Sequence, residues 1–167
     1  MPFAEQEYGS DDIIPVIDTP YGKLSPVICY DADFPHFLKQ SGKKGTDILL
    51  VPSGDWKAID PYHAYMSGIR GIENGVSVIR PVSRATSIAT DPYGNLLGST
   101  DFYSSQEKTL MVNAPVHGIN TIYNSIGDLL PFSAMVFIAY ILFEMLIKIF
   151  KKGKTVPNKQ KTKVVGV

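Results

Sequence analysis

Short apolar runs alternate with amphipathic ones through the first two thirds of the chain and then give way to one long apolar stretch. Residues 13–18 and 24–29 read as two strands joined by a TPYGK turn, in which Pro20 and Gly22 supply the hairpin signal. Residues 33–43 read as a helix that stops at SGKKG. The continuous apolar run 47–52, DILLVP, has the pattern of a strand covered on both faces. A second helix is predicted over 60–74, with Asp60 as its cap, Pro61 at its first position and Gly75 just past its end. Strands are predicted at 77–80 and 85–90, then a DPYG turn at 91–94, then strands at 95–99 and 108–113. Strands interleaved with two helices predict an α/β layer structure, and residues 115–128 connect it to the long apolar stretch.

From 129 to 147 the sequence is LLPFSAMVFIAYILFEMLI, with Glu144 as its one charge. As a helix those residues span about 28 Å, close to the hydrocarbon thickness of a bilayer. Eleven of them are Leu, Ile, Val or Phe, together worth about −5 kcal/mol toward insertion. Against this, Glu144 would cost about 3 kcal/mol at the bilayer centre, and less near the end where it lies. Pro131 falls in the first turn, where a missing N–H does no harm. The apolar residues cover every face, so the expectation is a transmembrane helix. The predicted divisions are a partial α/β domain at 1–114, a connector at 115–128, a transmembrane helix at 129–150 and a basic tail at 151–167.

Charge sharpens this picture. The 167-residue chain is formally neutral, but residues 1–128 hold nine basic against fifteen acidic side chains, and residues 129–167 hold seven lysines against Glu144 alone. By the positive-inside rule the lysine-rich tail is cytoplasmic, which puts residues 1–128 on the outer face of the plasma membrane. The first residues, MPFAEQEYGSDD, have neither the basic nor the apolar region of a signal peptide. No basic patch interleaved with aromatics occurs before residue 129, so nucleic acid is not an expected partner. A single cysteine, Cys29, excludes a disulfide framework within the chain and a multi-cysteine metal site, and His36, His63 and His117 have no metal-ligand spacing.

Cys29 ends the apolar run PVIC and is followed at once by Tyr-Asp-Ala-Asp-Phe-Pro. A strand that stops at a cysteine and turns sharply projects the thiol past the sheet and leaves the next N–H free as an oxyanion donor. On spacing alone an inert, buried cysteine remains the competing reading. The stretch PVICYDADFP, followed by VPSGDW (51–56) and YHAYMSGIRGIENGVSVIRPVSRATSIATDPYGNLL (62–97) and preceded by MPFAEQE (1–7), resembles the carbon–nitrogen hydrolase (nitrilase) superfamily in its order and approximate spacing. With a C-terminal membrane helix added, it is most similar to the apolipoprotein N-acyltransferase branch.

That resemblance implies the C-terminal half of an α-β-β-α sandwich, followed here by one transmembrane helix. It implies a Glu–Lys–Cys catalytic group and no cofactor or metal. Carried over by position, Cys29 is the nucleophile, Tyr30 supplies an oxyanion N–H, and Asp31 stands where the acyltransferase branch usually has Glu. Glu5 matches the acid of the family's Pro-Phe-x-Glu segment, which positions the lysine and the substrate, and Trp56 matches an aromatic lining the pocket. The family's first Glu and its Lys fall ahead of the matched segment, so the chain is expected to be a piece of a longer enzyme that needs its N-terminal half as a partner. The implied reaction moves an acyl chain from phospholipid through a cysteine thioester to the N-terminus of a lipoprotein. The alternatives are a membrane-tethered amidase or nitrilase-type hydrolase and a catalytically incomplete membrane module. Arg70 and Glu73, three apart on one helix face, are expected to pair structurally, and His36 and His63 to be surface or packing residues.

Overall fold

A computed structural model describes residues 13–153 of the chain, with side chains through Phe150. Residues up to Gly127 and residues from Asp128 onward form separate compact units. The first unit is built on a six-stranded sheet. Its elements are β1 (Ile17–Thr19), β2 (Gly22–Pro26), α1 (Pro35–Lys43), β3 (Ile48–Leu50), β4 (Ser53–Gly54), α2 (Tyr62–Asn74), β5 (Ser77–Arg80), β6 (Val82–Ser83), β7 (Thr86–Thr90), β8 (Leu96–Asp101) and α3 (Ile122–Ile126). The sheet order is β1-β2-β3-β5-β7-β8, and β4 and β6 pair separately. The central strands β2, β3 and β5 are parallel, flanked by antiparallel β1 on one side and β7 and β8 on the other.

The two crossovers, β2-α1-β3 and β3-α2-β5, advance across the sheet in the same direction, so right-handed connections lay both helices on one face. Register confirms which face. Ser25, Leu49, Val78 and Thr90 stand in one row and all are buried. Leu49 and Val78 belong to a core shared with Ile14, Val27, Ala32, Leu38, Val51 and Val76. The next row along, Pro26, Leu50 and Ile79, points to the opposite face and is only half-buried. The helices therefore cover one side of a single sheet, the mixed α/β arrangement expected of one layer pair of a larger sandwich.

Helix α2 comes close to the sheet because its buried stripe is His63, Ala64, Ser67, Gly68, Gly71 and Asn74, nearly all small. A Cβ on Gly71 would lie 2.7 Å from the Val78 side chain. Gly75 ends the helix at φ 69°, in the left-handed region that glycine enters without strain. Asp60 does not cap this helix, contrary to expectation: its carboxylate accepts the Thr86 N–H at 3.0 Å, and Pro61 stands at the cap itself with no side-chain bond. Helix α1 starts at Pro35 after extended Phe34, as the residue before a proline requires.

Three strand expectations are corrected. The hairpin forms, but β1 begins only at Ile17, and the second strand ends at Pro26, short of Cys29. Residues 108–113 form no strand. Leu110 and Val112 instead pack over Gly98, where a Cβ would come within 3.0 Å of each, so this segment lies on the face of β8 rather than along its edge.

The second unit is α4 (Leu129–Gly153), whose stretch Leu129–Phe150 has mean hydropathy 2.1 and is long and apolar enough to cross a membrane. Its twenty-two residues span about 33 Å.

Candidate active site

Beyond Pro26 the chain stays beside β3: Val27 N–H donates to the Leu50 carbonyl at 2.9 Å and Cys29 N–H to the Pro52 carbonyl at 3.0 Å. At Cys29 it breaks away, with φ 48°, into a 3-10 turn, Cys29–Asp33. A non-glycine residue in that region carries strain of about 1–2 kcal/mol. Of the described residues only Cys29 and Arg84 do so outside the glycines. The thiol is half-buried at the carboxyl end of a parallel strand, where open α/β sheets present their ligand sites.

The turn is closed from inside. Asp31 accepts the Ile28 N–H on its Oδ2 at 2.8 Å, and its own N–H donates to the Ile28 carbonyl at 2.9 Å. The Asp31 carboxylate thus shapes the turn that follows the cysteine. The Tyr30 N–H has no acceptor among the described residues, and the Tyr30 ring stands exposed, edge-on to Phe34 at 5.2 Å. Trp56 lies two residues past β4, the strand that packs on the turn, and is 60% exposed, so it rims the strand ends rather than filling a pocket. Glu5 lies outside the described residues. Of the expected site residues, then, Cys29, Tyr30 and Asp31 share one turn, with Trp56 on the neighbouring loop.

A cavity of about 400 Å³ opens at the same end of the sheet, lined by Pro52, Ser53, Pro81, Val82, Ser87 and Phe102 among others. Pro52, in its wall, is the residue whose carbonyl holds the Cys29 amide.

Behind the turn lies a buried ionic chain that the sequence pattern did not reveal. Asp33, the last residue of the cysteine's turn, meets His63 Nε2 at 2.9 Å, and His63 Nδ1 meets Asp55 at 2.9 Å. Asp55 in turn takes Arg80 Nη2 at 3.0 Å. Side-chain exposure is 14% at Asp33, 3% at His63, 1% at Asp55 and zero at Arg80. Four ionisable groups from the turn, the loop after β4, α2 and β5 therefore meet where apolar residues would otherwise pack. His63 is a packing residue only in this sense, and His36 is exposed on α1. A readable signal existed. His63 shares its helix face with the small residues 64, 67, 68 and 71, and a polar group on a buried face needs a buried partner. Arg70 and Glu73 pair on α2 as expected.

These residues, in this order on this fold, define a class. The carbon–nitrogen hydrolase family matches residues 2–119, and the chain belongs to it. More particularly, the apolipoprotein N-acyltransferase of Rickettsia bellii is 32% identical over 82 residues, covering 47% of this chain and 16% of that protein. The apolipoprotein N-acyltransferase of Haemophilus influenzae is 31% identical over 133 residues, covering 77% of this chain and 25% of that protein. The chain spans a quarter or less of the length of these two relatives. Among solved structures, an amidase from Nesterenkonia sp. superposes with a TM-score of 0.51 at 20% identity, over 68% of this chain and 43% of the other, a likeness of fold.

Proposed function

We propose that this chain is the nucleophile-bearing part of a membrane-bound acyltransferase. The Cys29 thiolate attacks the ester carbonyl of a phospholipid, the S–C bond forms, and the C–O bond to the lysophospholipid breaks as that alcohol takes up a proton. The α-amine of a lipoprotein's N-terminal residue then attacks the thioester, and the thiol is released with the amine's proton. The Tyr30 N–H receives the oxyanion in both tetrahedral stages, and Glu5 positions the substrate. Helix α4 anchors the chain in the membrane, with residues 1–128 outside and the lysine tail in the cytoplasm.

The observation that carries this reading is Cys29 itself, strained at the carboxyl end of a strand and followed directly by an N–H that has no acceptor among the described residues. Family membership, the acyltransferase relatives and the apolar helix support it. The test is transfer of radiolabelled acyl chains from phospholipid to the protein, in membranes holding this chain completed with an N-terminal half. Label retained on Cys29 and lost on hydroxylamine treatment is the expected result. Cys29→Ser should lower capture by about 10³-fold or more while shifting stability by less than about 1 kcal/mol. An unlabelled wild-type protein sinks the proposal. An impermeant thiol reagent that reaches Cys29 only from the cytoplasmic side overturns the orientation.

A second reading, which the carbon–nitrogen hydrolase family match supports equally, has water take the acyl group and a small amide as the substrate. Turnover of short aliphatic amides without transfer to an amine would select it. A Cys29 no more reactive than free cysteine would leave a catalytically incomplete membrane module.

A further inference from the structure

We propose that His63, clamped between Asp33 and Asp55 and backed by Arg80, is a positioning residue for Cys29, an inference that rests on Cys29 being the nucleophile. The turn bearing the thiol is tied at its start by the Cys29 amide on Pro52 and the Ile28 amide on Asp31. At its far end it is held by Ala32, fully buried in the core, and by the Asp33 carboxylate, both of whose oxygens lie 2.9 Å from His63 Nε2. Each ring nitrogen meets a carboxylate oxygen, so the ring cannot rotate without losing a bond. Asp55 is fixed from the other side by Arg80 and by its own N–H, which donates to the Ser83 carbonyl at 3.1 Å. The chain of contacts thus runs from β5 through the loop after β4 and α2 into the last residue of the cysteine's turn.

Such a clamp has a specific consequence. A residue in the left-handed region keeps that conformation only where its surroundings over-determine it. With Asp33 released from His63, the turn can relax at Cys29 and swing the sulfur away from the Tyr30 N–H. None of the four side chains needs to touch the substrate for this to slow the reaction.

The experiment uses the chain completed with an N-terminal half, as in the acyl-transfer test, in detergent micelles, with p-nitrophenyl butyrate, an activated ester that needs no general acid. Thiolate attack forms the S–C bond and expels p-nitrophenolate, whose burst reads acyl capture, while iodoacetamide reads thiol alkylation. Asp33→Ala should slow the burst about tenfold, the factor that strain of this size is worth, with KM unchanged. Asp33→Asn, which keeps an oxygen for Nε2–H, should recover most of the rate, and His63→Gln should fall between. Unfolding midpoints identify the variants that remain folded. A wild-type burst rate in folded Asp33→Ala or folded His63→Gln overturns the positioning role and leaves the nucleophile reading standing. No burst in the wild type, with alkylation still altered several-fold by Asp33→Ala, removes the nucleophile reading and keeps the thiol's dependence on the clamp. Neither burst nor altered alkylation removes both.

Discussion

The two ends of the central parallel strands are built on different principles. At the amino end, the chain is closed by hydrogen bonds to backbone groups, most of them from the short side chains of Asp47 and Ser77. Asp47 accepts the Lys23 N–H at 2.8 Å and the Gly118 N–H at 3.0 Å, the Ile119 N–H donates to the Gly75 carbonyl at 2.8 Å, and Ser77 donates to the Pro115 carbonyl at 2.8 Å. Glycines let the strands, α2 and the connector approach within contact. At the carboxyl end, a strained cysteine, a rimming tryptophan and a quartet of ionisable side chains occupy the corresponding positions. One end is arranged for stability. The other keeps ionisable groups and backbone strain where packing alone would have favoured neither, the pattern of a reacting site held in place.

Substitutions can break this contrast, and the largest effect belongs to the charged end. Arg80→Met strands Asp55 in the interior and should cost about 3–5 kcal/mol in urea unfolding, with Cys29 alkylation altered in whatever fraction stays folded. Gly75→Ala strikes the other end. Its Cβ would sit 1.9 Å from the Ile119 carbonyl oxygen, at a positive φ, so about 3 kcal/mol of stability should be lost. The alkylation rate of Cys29 in the folded protein should not change. Asp47→Ala leaves two N–H groups without their acceptor and should cost about 1–2 kcal/mol, again with the thiol unaffected. Altered thiol reactivity in Gly75→Ala or Asp47→Ala would erase the division between the two ends.

The smallest effect concerns the β7–β8 turn. The Asn95 side-chain amide, with the backbone N–H groups of Asn95, Tyr93 and Gly94, holds the exposed Asp91 carboxyl below the ordinary carboxylate range. A depressed folded value means a stabilising contribution present at neutral pH and lost as pH falls through that value. Asn95→Ala should therefore lower the unfolding midpoint slightly at neutral pH, with the difference vanishing in acid.

Much of this molecule is legible in the chain. The helix ending at Gly75, the DILLVP strand, the DPYG turn and the apolar stretch from Leu129 are read from local rules, because turn chemistry and hydrophobic period act within a few residues. The extent of the second strand and the lost strand at 108–113 were not legible. Whether an apolar run joins a ladder depends on where its side chains find partners, and Leu110 and Val112 packed over Gly98 instead. Asp60 illustrates the same limit, since the Thr86 N–H outcompeted the helix end for its carboxylate.

By itself, then, the sequence determined the order of elements, the family, the nucleophile candidate and the apolar helix, all of which depend on residues near one another in the chain. Only the tertiary structure decided that Asp33, Asp55, His63 and Arg80 form one chain of contacts, and that Cys29 is strained above it. The reason is physical: these four come from separate elements, up to forty-seven positions apart, and their pairing is set by sheet register and by how closely small residues let α2 approach.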